Sequence, residues 1–136
     1  MTILIDEART LSSATWRPAC RFDDLEPGWG EAAWIDGTQV ALYRFADGIV
    51  HAAGQRCPAT GAQVMARGIM GSRMIDGTLV KTIASPLHKQ VYRLDDGTCL
   101  GEPGLALPVY PVHVDDEGRV FVDLDGTERA GTEASA

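Results

Sequence analysis

Hydrophobic and polar positions alternate over short distances along this chain. The segments 31–35, 39–45, 49–53, 79–83, 90–94, 109–114 and 119–124 mix β-branched or aromatic residues with polar ones. That is the pattern of half-buried strands. No stretch carries the 3.6-residue spacing of a long amphipathic helix. Between the segments sit Asp36-Gly37, Asp47-Gly48, Asp76-Gly77, Asp96-Gly97 and Asp125-Gly126, with Glu117-Gly118 as a weaker relative. Asp-Gly favours tight hairpins because both residues tolerate positive φ. The pattern predicts an all-β fold, a small antiparallel sandwich or barrel.

Two stretches interrupt this rhythm. From Gly54 to Gly71 the chain reads GQRCPATGAQVMARGIMG, too long and too glycine-rich for a hairpin turn. From Ala84 to Lys89 it reads ASPLHK, a short proline-bearing loop between two strands. Ordered loops on a β scaffold are where function concentrates.

At 136 residues there is one domain's worth of chain, since domains cluster at ~100–150 residues. The expected division is an extension over 1–15, a domain over 16–125, and a disordered tail of small and polar residues over 126–136. No apolar run approaches the ~20 residues of a bilayer span. The opening MTILIDEART has acids where a secretory signal needs a basic region. A cytoplasmic location without a membrane partner is the expectation. Cys20, Cys57 and Cys99 are odd in number and widely spaced, so free thiols are expected.

The net charge of −7 argues against a nucleic-acid partner. It also conceals an asymmetry. Between Ile49 and Leu94 lie six bases (Arg56, Arg67, Arg73, Lys81, Lys89, Arg93) against the one acid Asp76, while the remainder holds six bases and 18 acids. This is either scatter over a solvated surface or a basic face set to meet something negative.

The two loops carry the candidate chemistry, as Cys57-Pro58-Ala59 and Ser85-Pro86-Leu87-His88. They resemble the two cluster-binding loops of Rieske iron–sulfur domains, C-x-H and C-x-x-H, in which two cysteines hold one iron and two histidines the other. Cys57 and His88 match ligand positions. Ala59 stands where a histidine is needed and Ser85 where a cysteine is needed. Each iron would therefore keep one protein ligand of two, and a serine hydroxyl is a poor substitute for a thiolate at a soft site. A stable cluster is not expected.

With GTQVALYRFADGIVHAAG before the loops and QVYRLDDGTCLGEP and LPVYPVHV after them, the chain resembles one family in particular. That is the small subunit of assimilatory NAD(P)H-dependent nitrite reductase, from about Trp16 to Leu124. The 25 residues between Ala59 and Ser85 fit this family, whose members commonly lack the full ligand set. The resemblance implies a Rieske-type antiparallel β-sandwich whose two loops meet at one tip. It also implies a large subunit that carries siroheme, a [4Fe-4S] cluster, FAD and NAD(P)H and reduces nitrite to ammonium.

Simpler roles stand beside these. Cys57 also reads as a small buried core residue, and His88 as a histidine bracing its loop. Pro58 and Pro86 fix loop φ. Arg56, Arg67 and Lys89 are surface charges or partner contacts, with Pro58, Pro86 and Leu87 as the apolar centre of such a contact. Trp16, Trp29 and Trp34 read as core or sheet-packing residues. Cys20, Cys99, His51 and His113 lie in strand patterns without ligand spacing. No phosphate loop, dinucleotide fingerprint or H-E-x-x-H helix is present, and no nucleophile can be paired with a base. The leading reading is a non-catalytic, cluster-free subunit docking on the nitrite reductase large subunit. The alternatives are a Rieske-type ferredoxin with an atypical [2Fe-2S] site, or a mononuclear metal protein with Cys57 and His88 as its only evident donors.

Overall fold

The computed structural model describes residues 16–87 and 90–125. The expected extension and tail, and also His88 and Lys89, lie outside the described residues. β3 (Thr38–Arg44) organises the rest, because both of its faces are buried. Val40 and Leu42 point to one side and pack with Leu25, Val120 and Val122. Ala41 and Tyr43 point to the other and pack with Ile83, Tyr92 and Leu94. A strand buried on both faces reads as a near-continuous apolar run rather than an alternating one, hence Val-Ala-Leu-Tyr.

β3 sits inside a four-stranded sheet with β2 (Trp29–Ile35), β4 (Val50–Gly54) and β9 (Val109–Tyr110), ordered β2-β3-β4-β9. On the Val40 side lies a three-stranded sheet of β1 (Trp16–Arg21), β11 (Arg119–Asp123) and β10 (Val112–Val114), ordered β1-β11-β10. On the Tyr43 side lies a second four-stranded sheet, β5 (Ile69–Ile75), β6 (Thr78–Ala84), β7 (Val91–Arg93) and β8 (Cys99–Leu100). Every strand pair is antiparallel. The all-β expectation is met, and no helix among the described residues is long and apolar enough to cross a membrane.

Two Asp-Gly pairs form two-residue hairpin turns with both central φ angles positive. They are Asp36 (53°) and Gly37 (81°) between β2 and β3, and Asp76 (52°) and Gly77 (83°) between β5 and β6. The segment 109–114, expected as one strand, is two. Pro111 has no N–H to give a ladder, but its carbonyl accepts from the Asp123 amide at 3.1 Å. At that residue the chain leaves the central sheet, where β9 pairs with β4, and enters the outer one, where β10 pairs with β11. β5 was not legible as a strand, and β1 and β8 were read only through the strand-end positions of Cys20 and Cys99. β5 is exposed along most of its length and so lacks alternation.

The tryptophan expectation is corrected. Trp29 and Trp34 are 55% and 71% exposed. Trp16 is half-buried and packs edge-on to His113 at 6.2 Å between ring centres.

Candidate functional site

The first loop leaves β4 at Gly54 and is closed by its own hydrogen bonds. The buried Gln55 side chain donates to the Gln63 carbonyl (3.2 Å) and accepts from the Ala66 amide (2.7 Å). The Cys57 amide donates to Ala62 (2.7 Å), and the Gly61 amide returns to the Cys57 carbonyl (2.7 Å). A turn of 3-10 helix, Met65–Arg67, ends the loop. It is pinned from below by the Tyr43 hydroxyl, which donates to the Met65 carbonyl at 2.6 Å. Glycines permit two close backbone approaches around it. A Cβ on Gly30 would stand 2.3 Å from the Ala66 carbonyl, and one on Gly68 would stand 2.3 Å from the Ala84 carbonyl. The second loop is tied by the Ser85 amide donating to Gln90 at 2.8 Å.

These ties bring Cys57 and Ser85 together. The thiol sulfur and the hydroxyl oxygen are 3.3 Å apart, and both residues are fully buried. Ser85 Oγ accepts the Leu87 amide at 3.3 Å, which leaves its proton free for the sulfur. Burial pushes the Cys57 thiol up, but hydrogen bonds from Ser85, from the Thr60 side chain and from the Thr60 and Ala59 amides outweigh it. The thiol is held below its ordinary value.

β7 and β8 contribute a neighbour that sequence reasoning missed. Tyr92 lies opposite Cys99 in register and is fully buried. Its hydroxyl has no hydrogen-bond partner among the described residues. Burial first, then the charges of Cys99, Cys57 and Glu102, push it up to about 12. A strand tyrosine carries no signal of such an orphaned hydroxyl, because its position depends on β6 and β7 pairing.

The other expected site residues are dispersed. Ala59 is exposed and supplies no donor atom. Pro86 is half-buried and Leu87 exposed. Arg56 and Pro58 line a groove of about 670 Å³ with Trp34, Gln63, Pro108 and Tyr110. Arg67 lines a different groove, about 510 Å³, with Trp29, Phe45, Ile69 and Met70. Among the described residues no three His, Cys, Asp or Glu side chains converge as a metal site.

The two loops, their order and the β scaffold beneath them define a Rieske-type domain with an incomplete ligand set. The residues do not fit a [2Fe-2S] cluster: Ala59 has nothing to coordinate with, and Ser85 presents a hard hydroxyl already engaged with Cys57. The family model for Rieske-like [2Fe-2S] domains matches residues 15–123. Over 102 residues the chain is 35% identical to the NADH nitrite reductase small subunit of Salmonella typhimurium, covering 74% of this chain and 91% of the relative. The crystal structure of a candidate NADH-dependent nitrite reductase small subunit from Mycobacterium tuberculosis matches with a TM-score of 0.72 at 48% identity, over 79% of this chain and 92% of that one. A third relative differs in kind. Over 112 residues, 82% of this chain, there is 34% identity to a portion amounting to 11% of the NAD(P)H nitrite reductase large subunit of Klebsiella oxytoca. The chain belongs to the Rieske-like [2Fe-2S] domain family and, within it, to the nitrite reductase small subunits.

Proposed function

We propose that this chain is a non-catalytic, cluster-free subunit of a cytoplasmic NAD(P)H-dependent nitrite reductase, docking on the large subunit that reduces nitrite to ammonium. The observation that carries the cluster-free reading is the hydrogen bond between Cys57 and Ser85, with Ala59 beside it. Two positions that would hold metal instead satisfy each other. Siroheme, [4Fe-4S], FAD and the nicotinamide belong in this reading to the large subunit. The Klebsiella oxytoca relative supports that partnership, because a domain like this one is there part of the large-subunit chain itself. In this reading the loop tip makes the contact, with Pro58, Pro86 and Leu87 at its centre and Arg56, and Lys89 further along the second loop, as its charges; Arg67, also expected there, lies instead in the groove beside Trp29. An apolar centre with a charged rim is the usual anatomy of such an interface.

The test is purification from the native host with iron, sulfide and visible-absorption analysis, together with co-purification of the large subunit. A colourless protein that co-elutes with the large subunit is expected. About two irons and two labile sulfides per chain, with a Rieske-type spectrum, would overturn the cluster-free reading and favour the ferredoxin.

A further inference from the structure

The groove that holds Arg67 lies between two sheet edges that pair with nothing further among the described residues. β2 is the outer strand of the central sheet and β5 the outer strand of its neighbour. Phe45 and Ala66 contribute to its lining, and Trp29, Ile69 and Met70 stand along it. β7 pairs with β6 only at Thr82–Ala84, so the far half of the β5–β6 hairpin projects as a two-stranded ribbon. Met70↔Ile83, Ser72↔Lys81 and Met74↔Leu79 are alternate pairs of that hairpin, so they share one face. Met70 and Ile83 belong to the core, while Met74 and Leu79, further out, are 66% and 59% exposed. Of the large exposed apolar side chains, Trp29 and Ile69 line the groove, and Met74 and Leu79 extend the ribbon face that Met70, Ser72 and Lys81 present to it.

Charge identifies what would fill it. Of the eight arginines among the described residues, Arg17, Arg21, Arg44, Arg93 and Arg119 are each held by a carboxylate or a carbonyl of the chain. Arg56, Arg67 and Arg73 make no such bond. The charged residues lining the groove are Arg67 and Lys81, in a chain of net charge −7; Lys81 is already paired with Asp47, which leaves Arg67 as the groove's available cation among the described residues. β5 also lacks the usual protection of an edge. It has no proline, and its one charge is Arg73.

We infer that β5 and its groove receive an extended segment of the large subunit that alternates apolar and acidic residues. The segment adds a strand to the β5 edge, with apolar side chains against Trp29 and the ribbon and carboxylates on Arg67 and Arg73. This inference rests on the proposed partnership and adds a second contact to the loop tip, joined to it through the loop that runs from Cys57 to Arg67. Seven residues of β5 offer roughly 23 Å of edge at ~3.3 Å per residue.

The experiment measures binding of the complete chain to the purified, cofactor-loaded large subunit by calorimetry, with hydrogen exchange read at the β5 amides. Met74→Glu with Leu79→Glu, and separately Arg67→Glu, are compared with the parent, with Arg67→Lys and with Val114→Glu, an exposed apolar position on the outer sheet. All are surface changes, and thermal unfolding checks that each variant folds. The expected result is a loss of at least about tenfold for the first two variants, little change for Arg67→Lys and Val114→Glu, and protection of β5 in the complex. If the parent binds and the groove variants bind equally without β5 protection, the inference is overturned and the partnership stands. If the parent does not bind, both are overturned. If the groove variants abolish self-association in sedimentation and leave large-subunit binding intact, the groove seats a second copy, and the inference is again overturned.

Discussion

Cys57 and Ser85 come from loops 28 residues apart in sequence and share one buried hydrogen bond, sulfur to oxygen at 3.3 Å. In a Rieske domain the corresponding loops are cross-linked by metal; in the proposed cluster-free reading the link is this thiol and hydroxyl. A buried bond of this kind contributes about 1 kcal/mol, and leaving one partner without the other costs about 1–3. Ser85→Ala should therefore lower stability by roughly that amount and raise the Cys57 thiol pKa, since Ser85 is a main cause of its depression. Urea unfolding of both single alanine variants and the double variant measures the link. A coupling energy of about 0.5–1.5 kcal/mol is expected; additivity would mean that the two loops are held by their backbone ties alone.

The missing ligands can be restored. Ala59→His with Ser85→Cys supplies one donor to each iron, and the double variant should take up iron and sulfide on anaerobic reconstitution where neither single variant does. Iron content and visible absorption read the result. A folded double variant that stays colourless would mean that the hydrogen bonds orienting the ligands have diverged along with the ligands themselves.

Much of this was legible in the sequence. Asp-Gly pairs marked the hairpins because they need two positive φ angles, and Asp36-Gly37 and Asp76-Gly77 deliver them. The Cys57 and Ser85 loops were identifiable by order and spacing. What escaped depended on tertiary context. β5 lacks an alternating pattern because the ribbon projects beyond the core, and β9 and β10 read as one strand because their exchange of sheets turns on the single residue Pro111. Trp29 and Trp34 read as core or sheet-packing residues, although apolar residues are common on surfaces. Arg67 follows Arg56 along one loop, yet a turn of 3-10 helix carries it to a different groove.

Two buried tyrosines should respond oppositely to losing their hydroxyls. Tyr43→Phe deprives the Met65 carbonyl of a 2.6 Å hydrogen bond beneath the first loop and should cost about 1–3 kcal/mol. Tyr92→Phe removes a buried hydroxyl that has no partner among the described residues and should be neutral or stabilising. Thermal unfolding of the two variants side by side decides it. A comparable loss in both would show that the Tyr92 hydroxyl is satisfied in solution, by water for example.

Acid sensitivity near neutrality should trace to His51. Burial, and then the positive charge of Lys81, hold its imidazole below the ordinary value, against weaker opposing effects of Asp47 and Asp95. As pH falls through about 6.5, the unfolded chain takes up this proton before the folded one does. The stability is therefore complete above that pH and declines on acidification towards the lower folded pKa. Denaturant midpoints between pH 7.5 and 5 should fall in the parent and fall less steeply in His51→Gln. Parallel profiles would assign the slope to other groups.

The loop tip makes a kinetic prediction separate from the groove. Rim charges act mainly on encounter rate, whereas a charge driven into an apolar contact acts on dissociation. Arg56 is exposed on the first loop, and Leu87 is exposed on the second; Lys89 follows two residues later. Arg56→Glu with Lys89→Glu should slow association with the large subunit and flatten its dependence on salt, leaving dissociation nearly unchanged. Leu87→Asp should do the reverse, speeding dissociation with little effect on the approach. Stopped-flow or surface-binding kinetics at low and moderate ionic strength resolve the two effects. If all these variants associate and dissociate like the parent, the tip is a solvated face, and the groove beside β5 is where the large subunit must be sought.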